Sequence, residues 1–345
     1  MTTATPIAVA VGDPCGVGPS VSIRAALARR EHESIVLFGD AVQLRRLLHE
    51  QGEAQASLHD LSAEGALQVP AGGLGIVDTG PVAQTLLDRH EACPEAGAAQ
   101  LRSLRLAATA VRQGSARALV TGPTSKAAVV SAGHTFTGQT EFLAQLDGKA
   151  DDDVTMMFLG PKLRVALVTT HLSIANVPAA ITAPRVLRTV RHLAQALLRL
   201  PSARTPSLVV TGLNPHAGEG GMFGNEERDV LAPCLAALRG EPPFCSGQLQ
   251  LLGPQPAESV FRAAQRGDID GVVAMFHDQA TIASKLLDWG AAVNTSWGLS
   301  FLRTSVDHGV AYDAARQGTA EHHGMLAALD LAVLLTRGET RGAHG

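Results

Sequence analysis

The sequence predicts an α/β fold, because short apolar runs alternate with helix-patterned segments along most of the chain. The apolar runs are rich in β-branched residues, as strands buried on both faces of a parallel sheet usually are. Hydrophobic residues make up 46% of the 345 residues and charged residues 17%, so the chain can bury a large core, in two lobes rather than one. Residues 1–345 are therefore predicted to form one two-lobed unit, within which no linker marks the lobe boundary.

The predicted strands and helices alternate in an order that favours parallel pairing. The strands are the apolar runs Ile7–Val11, Ser34–Phe38, Leu74–Val77, Ala118–Thr121, Val154–Leu159, Leu163–Thr170, Ser207–Leu213 and Gly271–Phe276. The clearest helices have apolar residues at helical spacing and span Ala98–Arg112, Pro184–Leu200, Asn225–Arg239 and Met325–Arg337. Ligands of open α/β sheets bind at the carboxyl ends of strands, so the residues that follow each strand are the candidates for a site.

Charge and patterning argue against nucleic acid or a membrane as the main partner. The formal net charge is −4 and no basic run is present. The N-terminus lacks the charged region of a signal peptide, and no apolar run approaches the roughly 18 residues of a membrane span. We therefore expect a cytoplasmic protein. The cysteines form no C-x-x-C unit, which favours reduced structural thiols over a disulfide or a cysteine metal site.

Three histidines stand where predicted strands end. His171 follows the strand that ends in VTT, His216 lies in the glycine-rich segment LNPHAGEGGMFG, and His277 lies in MFHDQ. Zinc and similar ions bind imidazole nitrogens, and a three-histidine site leaves one position open for a substrate oxygen. The intervals of 45 and 61 residues are not a local ligand motif, so surface histidines are the alternative interpretation. No H-E-x-x-H segment is present to supply the base of a metallopeptidase.

Two further loops follow strands in the first half of the chain. GDPCGVGP resembles a dinucleotide loop but lacks the G-x-G-x-x-G spacing, so Asp13 either faces a ligand or lies in a tight strand-to-helix turn. TGPTSK lacks the form of a phosphate-binding P-loop, so no ATPase is predicted. After it comes FTGQTE, where the Thr140 hydroxyl and the start of a helix suit an anion.

Basic and amide side chains gather in sequence after His277. They are Lys285, Asn294 and Arg303. An arginine fork binds phosphate or carboxylate bidentately and a lysine adds a point charge, so these residues predict an anionic substrate. Surface or helix-cap positions are the alternative for each of them.

Taken together, the motifs GDPCGVGP, TGPTSKAAVVSAG, FTGQTEF, TTHL, LNPHAGEGG, FHDQ and RTSVDHG resemble the 4-hydroxythreonine-4-phosphate dehydrogenase family from about residue 7 to 334. The resemblance implies an isocitrate/isopropylmalate dehydrogenase-like fold and a homodimer with sites at the subunit contact. It also implies a divalent metal on His171, His216 and His277, with zinc expected and cobalt or magnesium as alternatives. Phosphate and substrate contacts would fall on Thr140, Lys285, Asn294 and Arg303.

The implied reaction is NAD-linked oxidation of 4-phosphooxy-L-threonine, followed by decarboxylation to an amino-ketone phosphate in pyridoxal phosphate biosynthesis. Asp278 and Lys285 are the candidates for the proton-accepting base. The cofactor residues are expected to be Asp13, Gly218, Glu219, His308, Gly309 and Asp313. Asp313 occupies the place at which related dehydrogenases put a carboxylate on the adenosine ribose, where it would accept a hydrogen bond from a 2′-hydroxyl and repel a 2′-phosphate.

The substrate side departs from the family pattern. Gln139 stands where the family has a histidine, Glu258 is one methylene longer than the usual aspartate, and DQATIASK follows His277. Gln139 can donate hydrogen bonds but cannot carry a positive charge. A related substrate is therefore the alternative: a phosphorylated threonate or erythronate, or a cis-diol carboxylate. A metal-dependent hydrolase that reuses the histidines is a further one.

Overall fold

The structure is a computed structural model that describes residues 5–52, 58–70 and 72–337. The strands are β1 (Ile7–Ala10), β2 (Ile35–Gly39), β3 (Leu58–Leu61), β4 (Leu74–Asp78), β5 (Ala118–Thr121), β6 (Thr155–Leu159), β7 (Arg164–Leu167), β8 (Ser207–Thr211), β9 (Gln250–Gln255), β10 (Gly271–Ala274), β11 (Val293–Trp297) and β12 (Arg303–Ser305).

The helices alternate with these strands. They are α1 (Gly18–Leu27), α2 (Ala41–Glu50), α3 (Gln84–Leu87), α4 (Pro94–Arg112), α5 (Lys126–Ser131), α6 (Gln139–Leu146), α7 (Val177–Ala180), α8 (Ala183–Arg199), α9 (Ala232–Arg239), α10 (Ala257–Gln265), α11 (His277–Leu287), α12 (Tyr312–Gln317) and α13 (His323–Thr336). Short 3₁₀ segments lie at Asp151–Asp153 and Ile174–Asn176, a turn with left-handed residues lies at Pro215–Gly221, and a π-helical turn lies at Glu227–Leu231.

The chain divides into two compact units. Unit 1 comprises Met1–Asp151 and Leu299–Gly345, and unit 2 comprises Asp152–Gly298. In unit 1 the strand order is β3-β4-β2-β1-β5-β12 and every neighbouring pair is parallel. Helix α4 packs on this sheet through Leu104, which belongs to a core with Phe38 and Leu119. The apolar residues of β1, β2 and β5 are buried because helices cover the sheet.

In unit 2 the strand order is β11-β6-β7-β10-β8-β9. The pairs β11–β6 and β6–β7 are antiparallel, and the pairs β7–β10, β10–β8 and β8–β9 are parallel. Helix α8 buries Val186, Val190, Leu193 and Leu197, which recur at the spacing of one helix face. This parallel group of strands positions the histidines described below.

The structure confirms the α/β prediction and finds each predicted strand, some of them shorter than expected. Strands β3, β9, β11 and β12 were not predicted. β12 has only three residues, and β9 contains Gly253 and Pro254, which weaken a strand pattern. The helix predicted over Asn225–Arg239 is instead a π-helical turn that continues into α9. Within the described part of the chain, no helix is long and apolar enough to cross a membrane.

Candidate active site

Strand register brings His171 and His277 together. β7 and β10 are parallel, with Leu167 opposite Ala274, so chains that leave the two strands run side by side. Beyond the strands, Val168 N donates to Ala274 O at 2.9 Å, which keeps the two chains paired. The rings of His171 and His277 consequently lie with their centroids 5.6 Å apart. Residues separated by more than a hundred positions in sequence thus share one strand-end site.

One ring nitrogen of His277, Nδ1, has hydrogen-bond partners within the chain. His277 Nδ1 lies 2.7 Å from Asp278 Oδ1 and 3.4 Å from the Thr281 hydroxyl. An ionised carboxylate can only accept, so a neutral His277 bonded to it has its hydrogen on Nδ1 and its lone pair on Nε2. A carboxylate on the distal nitrogen is the usual support of a metal-binding histidine. Asp278, predicted as a base candidate, therefore contacts His277 directly.

His216 follows β8, the other parallel neighbour of β10, but on a left-handed turn. The φ angles of His216, Ala217, Gly218, Glu219 and Gly220 are all between 43° and 82°. Left-handed backbone costs a non-glycine residue about 1–2 kcal/mol. Such strain persists only where the surroundings enforce it, and it concentrates at functional sites.

Glu227 enforces this turn. Its side chain is buried, and Oε1 accepts hydrogen bonds from the backbone N–H groups of Leu213 and Asn214, both at 2.8 Å. Oε2 accepts from the Asn214 amide at 3.0 Å. A Cβ on Gly218 would lie 2.8 Å from the same carboxylate, so only glycine fits there. Gly218, predicted as a cofactor residue, is thus packed against Glu227.

Gln279 joins the ends of β8 and β10. Its Oε1 accepts from Met275 N at 2.6 Å and from the Thr211 hydroxyl at 3.0 Å, and its Nε2 donates to Gly212 O at 3.0 Å. The amide therefore fixes the strand that precedes His216 to the strand that precedes His277. Even so, the described residues of this single chain contain no group of three or more His, Cys, Asp or Glu side chains placed to hold a metal ion.

The remaining predicted residues of unit 2 lie on α10, α11 and β11. Lys285 is eight residues after His277, which places both on one face of α11. Asn294 lies on β11, and its Oδ1 is buried with no hydrogen-bond partner among the described residues. Glu258 is exposed in the first turn of α10, where a carboxylate is favoured by the helix dipole, and accepts from the Ser259 hydroxyl.

In unit 1, Gln139 contacts the buried Arg303. Arg303 begins β12 and donates from Nη2 to Gln139 Oε1 at 2.7 Å and to the Thr121 hydroxyl at 3.0 Å. Burial lowers the pKa of Arg303 to about 10, so the guanidinium is still charged at neutral pH. Gln139 Nε2 donates to Gly122 O and to the Thr124 hydroxyl, which fixes the orientation of the amide. Thr140 is the next residue of α6.

Asp13 has internal partners. It is fully buried, Oδ1 accepts from Cys15 N at 2.9 Å, and Oδ2 accepts from the Tyr312 hydroxyl at 2.7 Å. Desolvation by burial raises the pKa of this carboxyl, and the Tyr312 hydrogen bond opposes the rise. A Cβ on Gly12, where φ is 84°, would lie 2.2 Å from Pro123 O, so the turn before Asp13 requires glycine. A direct contact between Asp13 and a cofactor stays a prediction.

The predicted cofactor loop precedes α12. His308 and Asp313 are exposed, and Gly309 O lies 2.9 Å from His308 Nδ1. Asp313 Oδ1 accepts from Arg316 Nη1 at 3.0 Å. Ala311, between them, has a left-handed φ of 47°. As at His216, the non-glycine strain falls in a loop that the sequence assigns to a ligand.

Comparison with known proteins decides the family. A family model described as pyridoxal phosphate biosynthetic protein PdxA matches residues 31–332. A 4-hydroxythreonine-4-phosphate dehydrogenase from Geobacter metallireducens is 39% identical over 345 aligned residues, which cover 98% of this chain and 97% of that protein. The chain belongs to the PdxA family. Its resemblance to 4-hydroxythreonine-4-phosphate dehydrogenases, read from the motifs, is thereby confirmed, and the chain is a member of a dehydrogenase family.

Solved structures of PdxA relatives share the fold. The 4-hydroxythreonine-4-phosphate dehydrogenase of Klebsiella pneumoniae superposes with a TM-score of 0.78 at 34% identity, covering 96% of this chain and 100% of that one. A terephthalate 1,2-cis-dihydrodiol dehydrogenase from Burkholderia xenovorans LB400 superposes with a TM-score of 0.68 at 31% identity, covering 96% and 98%. The same architecture therefore occurs in dehydrogenases named for different substrates.

Sequence reasoning missed three residues that organise the predicted ligand loops: Glu227 and Gln279 in unit 2, and Tyr312 in unit 1. Gln279 belongs to FHDQ, so the motif carried a signal that was not assigned a role. Glu227 follows the glycine-rich loop inside an acidic segment and could not be separated from its neighbours by pattern. Tyr312 lies next to Asp313, but its partner Asp13 is 299 residues away.

The left-handed turn makes a testable prediction about stability. Ala217→Gly should raise the free energy of unfolding by about 0.5–1 kcal/mol, because glycine adopts positive φ without the steric cost of a Cβ. Urea unfolding monitored by circular dichroism measures the change. The control is Ala236→Gly in the exposed face of the right-handed α9, which should lower stability by about 1 kcal/mol. Equal losses in both variants would show that position 217 is not left-handed in solution.

Proposed function

We propose that this chain catalyses NAD-linked, metal-dependent oxidation of 4-phosphooxy-L-threonine, with decarboxylation to an amino-ketone phosphate in pyridoxal phosphate biosynthesis. The observation that carries the proposal is the pairing of His171 with His277 at adjacent strand ends, with His216 after the next strand. Membership of the PdxA family supports the assignment of the reaction to the dehydrogenase class. The two units would act as one catalytic unit.

The paired histidines fit a divalent metal. Imidazole nitrogens bind zinc at about 2 Å, so two rings on one tetrahedral ion have centroids roughly 5 Å apart. The observed 5.6 Å is close to that value. Asp278 supports the distal nitrogen of His277, and His216 is the third proposed ligand. Zinc is the first choice, with cobalt and magnesium as alternatives, and the bound ion would lower the pKa of the substrate hydroxyl.

Lys285 is the proposed base for that hydroxyl proton. It lies on the same face of α11 as His277, about two turns further on. As the neutral amine, its Nζ would take the proton while the hydride leaves to nicotinamide. Asp278, by contrast, is held at His277 Nδ1 and is better suited to orienting that ring.

We also propose a homodimer, which the surface around the histidines supports. Large exposed apolar side chains follow His171 and His216 or lie on or just after α11: Leu172, Ile174, Met222, Phe223, Ile282, Leu286 and Trp289. Exposed apolar groups at this density usually mark an interaction surface. We propose that a second copy covers this face of unit 2 and completes the metal site, so that the active sites lie at the subunit contact.

A second candidate is oxidation of a cis-diol carboxylate. It is favoured by the likeness to the terephthalate dihydrodiol dehydrogenase, and by Gln139, a neutral amide already bonded to Arg303. Arg303 suits a carboxylate as well as a phosphate, because its fork geometry matches both. Assay of NADH formation with both substrate classes decides between them. Absence of any NADH binding would instead favour a hydrolase.

The first prediction concerns the metal. His277→Ala or His216→Ala should weaken zinc binding at least about tenfold and abolish NADH formation, because two imidazoles make a weak site. Bound zinc is measured by elemental analysis after dialysis. His49→Ala, an exposed histidine of α2, is the control and should retain both properties. Full metal content and activity in either test variant would refute the three-histidine site.

The second prediction concerns cofactor choice. Asp313→Ala should reduce the NAD preference in kcat/KM by roughly tenfold, because it removes the carboxylate and frees Arg316 for a 2′-phosphate. In the double variant Asp313→Ala, Arg316→Ala, the increase in kcat/KM with NADP that Asp313→Ala produces should be lost. Unchanged selectivity in both variants would mean that Asp313 does not face the ribose.

The third prediction concerns the anionic end of the substrate. Arg303→Lys keeps the charge but loses the fork, so KM for 4-phosphooxy-L-threonine should rise about tenfold, as expected for loss of a charged hydrogen bond of roughly 1.5 kcal/mol. 4-Hydroxy-L-threonine, which lacks the phosphate, should show little change. An equal rise in KM for both compounds would indicate that Arg303 binds the carboxylate. Gln139→His should improve turnover of 4-phosphooxy-L-threonine if the chain has diverged from the family's substrate, and a loss of activity would show that Gln139 is suited to a different one.

A further inference from the structure

Asp13 is the centre of a buried hydrogen-bond network in unit 1. Three elements reach its carboxylate: the Cys15 N–H, the Gln100 amide of α4 at 3.3 Å, and the Tyr312 hydroxyl at the start of α12. Asp13 also donates its own N–H to Pro123 O at 2.9 Å. The Cys15 contact closes the turn of Asp13 itself, whereas Oδ2 and the Asp13 N–H join that turn to three other segments, through Gln100, Tyr312 and Pro123.

One side of the network leads to the predicted substrate residues. Gln100 Oε1 accepts from Ser125 N at 2.8 Å, and Ser125 adjoins Thr124. The Thr124 hydroxyl accepts from Gln139 Nε2 at 3.1 Å, and Gln139 Oε1 accepts from Arg303. The loop before α5 is thus held between Asp13 and the Arg303 guanidinium.

The other side leads to the predicted cofactor loop. Val17 N donates to Val310 O at 3.0 Å, and a Cβ on Gly16 would lie 2.6 Å from the same oxygen, so the two loops pack backbone to backbone. Tyr312 follows Ala311, the left-handed residue of that loop. Burial raises the pKa of the Tyr312 phenol, which stays protonated and donates to Asp13.

We infer that Tyr312 is a positioning residue that, through Asp13, couples the cofactor loop to the Gln139–Arg303 pair, so that each ligand strengthens binding of the other. The inference rests on the proposed function, because it takes NAD and an anionic substrate as the ligands. Hydrogen bonds in a low-dielectric interior are strong and geometrically demanding. A ligand that orders one end of the network therefore lowers the ordering cost at the other, and the effect is reciprocal.

Equilibrium binding tests the coupling. Affinity of the full-length protein for NADH is measured by fluorescence with and without 4-phosphooxy-L-threonine, a pair that cannot turn over. The wild type should bind NADH at least about fivefold more tightly when the substrate is present. Tyr312→Phe removes one hydroxyl from a half-buried ring and should reduce this factor to near one. Ser131→Ala, which removes a hydroxyl from α5 outside the network, should leave the factor unchanged.

A second readout uses the only tyrosine of the chain. Incorporation of 3-fluorotyrosine gives a single ¹⁹F resonance at position 312. In the otherwise native protein, 4-phosphooxy-L-threonine alone should shift this resonance. Tyr312 also has a side-chain hydrogen bond with Ser125. In the double variant Gln100→Leu, Ser125→Ala, which removes both side-chain links to the loop before α5, the substrate should still bind but the shift should be lost. A merely structural role of Tyr312 would produce no substrate-dependent shift in either protein.

The outcomes separate the inference from the proposed function. Coupling in the wild type that persists in Tyr312→Phe overturns the inference, as does independent binding of the two ligands to the wild type. A uniform loss of affinity in Tyr312→Phe with the coupling factor intact also overturns it. If the wild type binds neither NADH nor 4-phosphooxy-L-threonine, the proposed function itself fails and the inference falls with it.

Discussion

The candidate metal site depends on the register of three parallel strands, β7, β10 and β8. Backbone hydrogen bonds fix Leu167 opposite Ala274 and Val210 opposite Val273, and the strands end at one edge. A shift of one residue would turn every following side chain to the other face of the sheet. The pairing of His171 with His277 is therefore decided by the apolar strands that precede them, and Gln279 reinforces the pairing of β8 with β10 beyond their last ladder bonds.

Among the described residues, four of the five non-glycine residues with a left-handed φ lie in two loops predicted to bind ligands, and the fifth is His90. His216 lies in a run of left-handed residues, and Ala311 occupies the same conformation in the predicted cofactor loop. A buried carboxylate anchors each region: Glu227 accepts from the chain before His216, and Asp13 accepts from Tyr312 beside Ala311. Carboxylates that accept several hydrogen bonds can hold conformations that local propensity disfavours. The hydrogen bonds to these carboxylates therefore offset the cost of the left-handed backbone in the two loops.

Gln139 is a position at which the sequence departs from the motif that it resembles. Gln139 uses its oxygen for Arg303 and its nitrogen for Gly122 and Thr124, so its amide is fully committed inside unit 1. A histidine has one donor and one acceptor when neutral, and protonation beside a buried guanidinium would be disfavoured. A neutral histidine could therefore replace only part of the hydrogen bonding of Gln139, and the contact with Arg303 is the part that the proposed function relates to the choice between a phosphate and a carboxylate.

The sequence by itself determined the α/β class, the strand-end positions of the three histidines and the family. Those features are local: apolar runs define strands, and motifs such as FHDQ are contiguous. The sequence could not predict β12, because three residues carry no periodic pattern. It also could not predict that Glu227, one of several acidic residues in its segment, accepts hydrogen bonds from the backbone before His216. Only the tertiary structure decided that Asp13 is buried against Tyr312, 299 residues away, because side-chain partners across that distance are set by packing of the whole unit.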